Sequence, residues 1–405
     1  TPAVPVVSVG DYVRVGQKLA RGEGSITCEV HATVSGTVLS LAPMPELFGN
    51  DLPVIRIEND GKMEVDPTLA PRTAEDLAAF VEDLHESGIV GLGGAAFPVD
   101  WKFDAALRHN VKTMLINGAE CEPYVTSDNR MMLDHGEDIR RGIELLKKYV
   151  KPDNFVFAIE NNKPHAIAAM KELFADDPTM SFVELPSSYP QGAKQMILYN
   201  ALGKVVYAGQ RFATLGVIII NVSTLAKVAK FMDTGMPLVD RVVTVDGSAI
   251  KEPKNLLVPI GTPYRYLVEA AGGLKCEPGR VVNGGPMMGH AVPSLDYPVL
   301  KTTGSVLVFS EADSVIHEPT PCIHCGRCVS HCPMNLNPTA FSDDLEEENG
   351  DKRALLLDRD HVNFCIECGS CSYVCPAHRP LAENNRAAKK YLKKYKADHA
   401  EGGKK

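Results

Sequence analysis

Two stretches near the C-terminus carry residue types and spacings that do chemistry. Residues 322–333 read CIHCGRCVSHCP and residues 365–376 read CIECGSCSYVCP, and both fit Cys-x2-Cys-x2-Cys-x3-Cys-Pro, the run from which bacterial [4Fe-4S] modules are built. Three closely spaced thiolates wrap one face of a cubane, and the fourth, just before proline, ligates the other cluster in two-cluster modules. Cys322, Cys325, Cys328 and Cys375 are therefore expected to hold one [4Fe-4S] cluster, and Cys365, Cys368, Cys371 and Cys332 the second. Gly326 and Gly369 are expected to leave room for the backbone to pass close to the sulfurs. A pair of structural zinc sites is the alternative, but such sites join two Cys-x2-Cys knuckles across a longer spacer, with no third cysteine at x2 and no Cys-Pro ending. Eight cysteines fill both sites and leave no iron open for bond chemistry. The module reads as a wire for single electrons, and a wire needs terminals elsewhere in the chain or in partners.

The rest of the composition narrows the class. Of 11 cysteines, only Cys28, Cys121 and Cys276 lie outside the two runs, where they read as small core residues. Asp plus Glu number 51 against 42 Lys plus Arg, the wrong sign for a protein that tracks nucleic-acid phosphates. The most apolar run, LGVIIINV at 215–222, falls far short of the roughly 18 residues a membrane span needs, so membrane association is expected to be peripheral. The chain begins at Thr1 without an initiator Met and shows no signal-like stretch.

The elements that position the terminals lie upstream. From 112 to 203, β-rich runs (KTMLIN, NFVFAIE, SFVELP) alternate with helical patterns (GEDIRRGIELLKKYV, KPHAIAAMKELFA, QGAKQMILYNALG), which predicts a mostly parallel sheet covered by helices. Ligands in such sheets sit outside the carboxyl ends of the strands. The loop after the first strand, NGAECEPYVTSDNR at 117–130, offers Asn117, Glu120, Glu122, Tyr124 and Asp128, groups suited to a ribityl or ribose chain. Upstream again, GIVGLGGAAFPVDWK at 88–102 fits the loose dinucleotide fingerprint Gly-x-Gly-x-x-Ala, but a helical pattern precedes it where a strand belongs. Pro98 is expected to start a helix. That places Gly91, Gly93 and Gly94 before a helix N-terminus, where backbone N–H groups favour an anion, with Lys102 a turn further on to meet a phosphate or a flavin edge. A plain tight turn accounts for the same glycines equally well.

Taken together, GIVGLGGAAFPVDWKF, LINGAECEPYVTSDNRMM, YPQGAKQMILYNALG, NVSTLAKV, VVNGGPMMG and the paired cysteine runs make the chain resemble the RnfC family, a component of the Rnf electron-transport complex, over nearly its whole length. Its middle is more distantly similar to the flavin- and NADH-binding subunit of respiratory complex I. The resemblance implies that Gly91, Gly93, Gly94 and Lys102 cradle FMN with Asn117 and Glu120. It also implies that Tyr189, Gly192, Asn221 and Thr224 complete the pocket, and that Glu122 lies where the nicotinamide ribose of NAD(H) approaches and takes part in the chemistry. Three departures from the complex I pattern (Leu92 for Arg, Ala119 for Asp, Ala193-Lys194 for Glu-Glu) fall where NADH would make contact. Redox logic asks for the same cofactor, because a hydride carries two electrons together and each cluster takes one.

The expected architecture is multidomain α/β. Residues 1–60 resemble the barrel-sandwich hybrid of biotinyl and lipoyl domains, without a carrier lysine in 22–30. Residues 61–237 form a Rossmann-like α/β FMN/NADH domain, 238–300 resemble a β-grasp (SLBB-type) domain, 301–390 form the helical ferredoxin-type domain, and 391–405 a basic tail. The NGGPMMG loop at 283–289 reads as a loop near the flavin or as plain turn glycines, and the acidic run between the cysteine motifs as a solvated helix and turn. The resemblance further implies a peripheral subunit on the cytoplasmic side of the cell membrane, working with the other Rnf subunits, integral ones included, and indirectly with ferredoxin. A soluble flavin and iron-sulfur reductase of the cobalamin-reductase type is the first rival, and a non-enzymatic electron relay the second.

Overall fold

The computed structural model describes residues 3–24, 26–48, 52–207 and 210–400. The chain divides into two units, Thr1–Gly285 with His290–Ser314, and Pro286–Gly289 with Val315–Lys405.

The first unit opens with two antiparallel three-stranded sheets. One contains Val4–Pro5, Lys18–Arg21 and Val30–His31, the other Tyr12–Val13, Gly36–Pro43 and Pro53–Asn59. Inward-facing Val7, Val13, Leu19, Ala32 and Val38 fill the space between them. Ser25, in the expected hairpin tip, lies outside the described residues.

A helix, Leu77–Glu86, comes next, its first turn capped by Asp76, whose carboxylate accepts from the Ala79 N–H at 2.9 Å. The central sheet is fully parallel, in the order Val217–Asn221, Thr113–Gly118, Asn154–Glu160, Met180–Leu185. Helices Gly136–Tyr149, Pro164–Leu173, Lys194–Leu202 and Val222–Thr234 cover it. The chain lays down three strands in one direction, then crosses back to add Val217–Asn221 on the other side of the first. Sequence alternation predicts the first three. The fourth is buried at every residue, so its apolar run shows no alternation to read.

Residues 127–130, expected in a loop, instead begin the helix Ser127–Asp134. The Glu120 carboxylate makes the difference, accepting from the Asp128 and Asn129 N–H groups at 2.8 and 3.2 Å and from Ser127 Oγ at 3.1 Å. It caps that helix from a preceding turn.

The last sheet of this unit runs Lys254–Pro259, Asp240–Asp246, Ser305–Ser310, Pro278–Asn283, His290–Ala291, with helix Tyr264–Ala270 packed on its apolar face. The boundary expected at residue 300 is therefore too early. Ser305–Ser310 is the central strand of this sheet, with Val306, Leu307 and Val308 fully buried.

The second unit is helical: Arg327–Ser330, Pro338–Leu345, Gly350–Arg359, Ser370–Tyr373 and Leu381–Ala400. The acidic segment between the cysteine runs forms two helices, not one, and they turn Phe341 and Leu357 into a core with Ala388 and Leu392. The tail expected from 391 is a continuation of the last helix, because Leu392 is 1% exposed and Tyr391 and Tyr395 pack beside it. Residues 401–405 lie outside the described residues. Among the described residues no helix is long and apolar enough to cross a membrane.

Candidate flavin pocket and cluster sites

Doubly wound sheets bind ligands where the strand order reverses. Here the reversal falls between Thr113–Gly118 and Val217–Asn221, whose ends pair Asn117 with Asn221. Asn117 is fixed by the protein on both sides of its amide. Its Nδ2 donates to the Gly192 carbonyl at 3.1 Å and its Oδ1 accepts from the Ala119 N–H at 3.0 Å. Asn221 caps helix Val222–Thr234 by accepting from the Ser223 and Thr224 N–H groups, and donates to Asp128 at 2.6 Å.

The glycine run lies across this switch point. The loop closes on itself through Gly91 N–H to the Phe97 carbonyl at 2.8 Å and a bridge between Val90 and Pro98. Leu92 N–H donates to Thr224 Oγ1 at 3.0 Å, and Arg241 Nη2 donates to the Leu92 carbonyl at 3.3 Å. Gly93 sits against Asn221, where a Cβ would come within 3.2 Å of the amide nitrogen. Pro98 is the residue before the helix Val99–Arg108, one position earlier than expected, and caps it with no side-chain hydrogen bond. Asn221 and Thr224 thus hold the loop in place, and Glu120 holds the wall beside it.

Three buried carboxylates line that wall. Burial pushes Glu120 up to about 7 and also raises Asp128 and Glu160. Glu160 accepts from the Glu120 N–H at 3.0 Å, and Asp128 accepts from Ser223 Oγ at 2.6 Å. Sequence reading missed Glu160, although an acidic residue ending the apolar run NFVFAIE was its signal. It missed Arg241 too, which comes from another domain and is 3% exposed.

Lys102 is the group without a counterpart. Among the described residues neither Lys102 nor Lys194 has a hydrogen bond or an ion pair; Lys194 Nζ stands 6.0 Å from the centre of the Phe97 ring. Loss of water lowers Lys102 to about 7, the Lys194 charge adding to the shift, and burial lowers Lys194 as well. Two half-buried ammonium groups near a glycine-rich loop make a place where an anion repairs an electrostatic deficit. The residues fit a flavin phosphate. Lys194, where complex I carries an acid, adds a second positive charge to that place.

Glu122 is partly buried, and a Cβ on Gly285 would come 2.3 Å from its carboxylate. Tyr189 is partly buried and joined to Pro190 by a cis peptide, and Gly192 passes close to Ala119, where a Cβ would meet the carbonyl at 3.0 Å. Gly192 N–H also points at Cys121 Sγ, 3.4 Å away. Burial pushes the Cys121 thiol up to about 11, which makes it a poor nucleophile. Cys276, expected in a core, is exposed.

In the second unit, Cys322, Cys325, Cys328 and Cys375 line one pocket, and Cys332, Cys365, Cys368 and Cys371 line another. Each pocket is thus lined by three cysteines of one motif and the last cysteine of the other. Among the described residues no three His, Cys, Asp or Glu side chains draw close enough for a single ion. The two motifs share an unusual backbone. His324 and Glu367 have φ of 54° and 57°, and the glycines two residues on, Gly326 and Gly369, have 74° and 80°. Turns of this hand aim N–H groups back at sulfur, so His324 N–H meets Cys322 Sγ and Glu367 N–H meets Cys365 Sγ, each at 3.4 Å. Gly326 has open space where a Cβ would go. Its left-handed conformation, and not the close passage expected, calls for glycine there. Gly369 is also crowded, since a Cβ would come 2.6 Å from the Met287 carbonyl, which places part of the NGGPMMG loop in the cluster unit.

Asn385 Nδ2 donates to Cys365 Sγ at 3.6 Å and Cys371 Sγ at 3.9 Å. Hydrogen bonds to sulfur stabilise the reduced, more negative cluster. Replacing Asn385 with Leu is therefore expected to lower the reduction potential of the cluster at that ring and leave the other unchanged, as read by an EPR-monitored redox titration.

A glycine-rich loop with two half-buried lysines at the switch point of a parallel sheet, in one chain with two pockets of four cysteines each, is the arrangement of an iron-sulfur flavoprotein of electron transport. Residues 1–62 match the RnfC barrel sandwich hybrid domain, 84–230 the Nuo51 FMN-binding domain, 242–291 the SLBB domain and 314–376 the 4Fe-4S dicluster domain. The chain is 36% identical, over 96% of its length and 86% of the relative's, to the C subunit of the proton-translocating ferredoxin:NAD(+) oxidoreductase complex of Clostridium ljungdahlii. It is 37% identical, over 87% and 80%, to the corresponding subunit of the Na(+)-translocating complex of Acetobacterium woodii. The chain belongs to the RnfC family of ferredoxin:NAD+ oxidoreductase subunits. Crystal structures of an NAD+-reducing [NiFe]-hydrogenase in the H2-reduced and air-oxidized states share its fold, with TM-scores of 0.53 and 0.54 at 16% and 18% identity, over 78% and 79% of this chain and 63% and 64% of theirs.

Proposed function

We propose that this chain is the peripheral, cytoplasm-facing subunit of an ion-translocating ferredoxin:NAD+ oxidoreductase. It accepts or returns a hydride of NAD(H) at FMN and relays single electrons through two [4Fe-4S] clusters to or from membrane partners. The observation that carries the reading is the joining, in one chain, of two pockets lined by four cysteines each with a glycine loop at the sheet's switch point, followed one turn on by Lys102, half-buried and without an ion pair among the described residues. Bound there, FMN supplies the chemistry that joins a two-electron hydride to one-electron carriers.

The chain's own residues do the positioning. Gly91, Gly93 and Gly94 let the loop approach the ligand, Lys102 and Lys194 meet its negative charge, and Thr224, Asn221 and Arg241 hold the loop still. Glu122 stands at the nicotinamide side. The four-cysteine rings are read as ligand sets, with Cys375 and Cys332 exchanged between motifs.

The test is spectroscopic. The purified chain, reconstituted with iron and sulfide, should retain FMN and lose the flavin absorbance anaerobically on adding NADH. No flavin uptake, or flavin that NADH leaves oxidised, overturns the enzymatic reading. Gly285→Ala should swing Glu122 aside, since the new Cβ would overlap its carboxylate. We expect flavin reduction by NADH to slow about tenfold or more, in stopped-flow traces, with FMN content unchanged.

A further inference from the structure

The last helix has two faces of opposite character. Leu381, Ala382, Asn385, Ala388 and Leu392 are buried along one side. About a third of a turn round, Arg386, Lys389, Lys390, Lys393 and Lys396 form a stripe at helical spacing and line a groove with Asn363 and Glu367. The stripe is a local reversal in a chain of formal charge −9. It is also tied to a cysteine ring. Glu367, between Cys365 and Cys368, pairs with Arg386 at 3.1 Å and Lys389 at 2.5 Å, and Lys389 Nζ donates to the Cys365 carbonyl at 2.8 Å. Among the described residues Lys390 and Lys393 have no ion pair, and both are exposed. Their charge is uncompensated.

We propose that this basic groove docks the acidic face of a one-electron carrier protein, holding it over the Cys332, Cys365, Cys368 and Cys371 ring. The inference rests on the electron-relay reading and adds the place where a carrier meets the chain. A protein face is favoured over a lipid surface because no apolar side chain lines the groove, and a helix that binds membranes in its interface needs an apolar face to bury there. Electron exchange moves one electron from the reduced carrier, which is thereby oxidised, to the cluster, and makes or breaks no bond. Charge complementarity of this kind acts on encounter rate and partner choice and is screened by salt.

The test uses the full chain loaded with FMN and both clusters, with flavodoxin, an acidic one-electron carrier, as the immobilised probe. Wild type should bind more weakly as salt rises. Lys390→Glu with Lys393→Glu should bind about tenfold or more weakly at low salt and lose most of the salt dependence, at unchanged iron and FMN content, while Lys390→Arg with Lys393→Arg should bind as wild type. Equal binding by the Glu variant, or wild-type binding that ignores salt, would overturn the proposal. So would a Glu variant that keeps flavodoxin but loses flotation with phosphatidylglycerol vesicles, or loses self-association in sedimentation, since the occupant would then be lipid or a second copy. A chain whose cysteines take up no iron would instead overturn the relay reading itself, and the docking with it.

Discussion

Replacing Cys375 with Ala is expected to empty the site bounded by Cys322, Cys325 and Cys328 and to halve the iron of the reconstituted chain, from about eight to about four atoms. The double replacements decide whether ligation is crossed. Cys375→Ala with Cys322→Ala should cost no more iron than either alone, because both belong to one ring. Cys375→Ala with Cys365→Ala should cost nearly all of it, because the two sit in different rings. Uncrossed ligation reverses the outcome: Cys375 would then pair with Cys365 at no added cost. Iron analysis and EPR of the reduced protein read the result. Because metal binding in such a site contributes folding free energy, the helical unit should also lose its cooperative melting as iron falls. Burial raises the Cys365 and Cys328 thiols and pushes Cys371 up to about 12, so the bare rings favour protonated sulfur until iron draws the proton off.

Lys102→Met should act in opposite directions on the bare and the flavin-loaded chain. With FMN, the variant loses a charge-assisted contact to phosphate, and affinity should fall by about tenfold or more. Without FMN, it removes a half-buried charge that has no ion pair among the described residues, so the melting temperature should rise. The sign in pH follows. Lys102 sits at about 7 in the folded chain against 10.5 as its ordinary value, so between these limits the unfolded chain holds more protons. The cost of the buried charge is full below about pH 7 and fades as pH climbs toward 10.5. Stability of the bare chain should rise through that window, by at most about 1.4 kcal/mol per pH unit, and the Met variant should flatten the slope. Urea melts across pH, with iron content held constant, measure it. A Met variant that is less stable without FMN would show that Lys102 is a structural residue.

How far the sequence reaches depends on how local each determinant is. The cysteine spacings, the glycine run before a helix and the strands Thr113–Gly118, Asn154–Glu160 and Met180–Leu185 are written in neighbouring letters and are legible. The helix Ser127–Asp134 is not, because its cap is a carboxylate several residues upstream. Nor is the support of the glycine loop, since Thr224 and Arg241 reach Leu92 from 132 and 149 residues away. Asn221, Thr224 and Glu120 were expected at the cofactor through resemblance. The structure gives each of them protein partners as well, so they also fix the shape of the loop and its surroundings. A family pattern marks positions that matter to a site without separating those that touch a ligand from those that hold the touching residues still.

The strand Ser305–Ser310 has a consequence for how the chain comes into being. It is the last strand of its sheet to be synthesised, yet it lies in the middle, parallel to Asp240–Asp246 and antiparallel to Pro278–Asn283. Until residue 310 has left the ribosome, the two halves of that sheet have no common partner. The first cluster cysteine follows at 322. Completion of the flavin-bearing unit and arrival of the first iron ligand are thus separated by about a dozen residues, roughly a second or two of translation, and a chain cut at residue 300 would lose the keystone of the earlier unit instead of its edge.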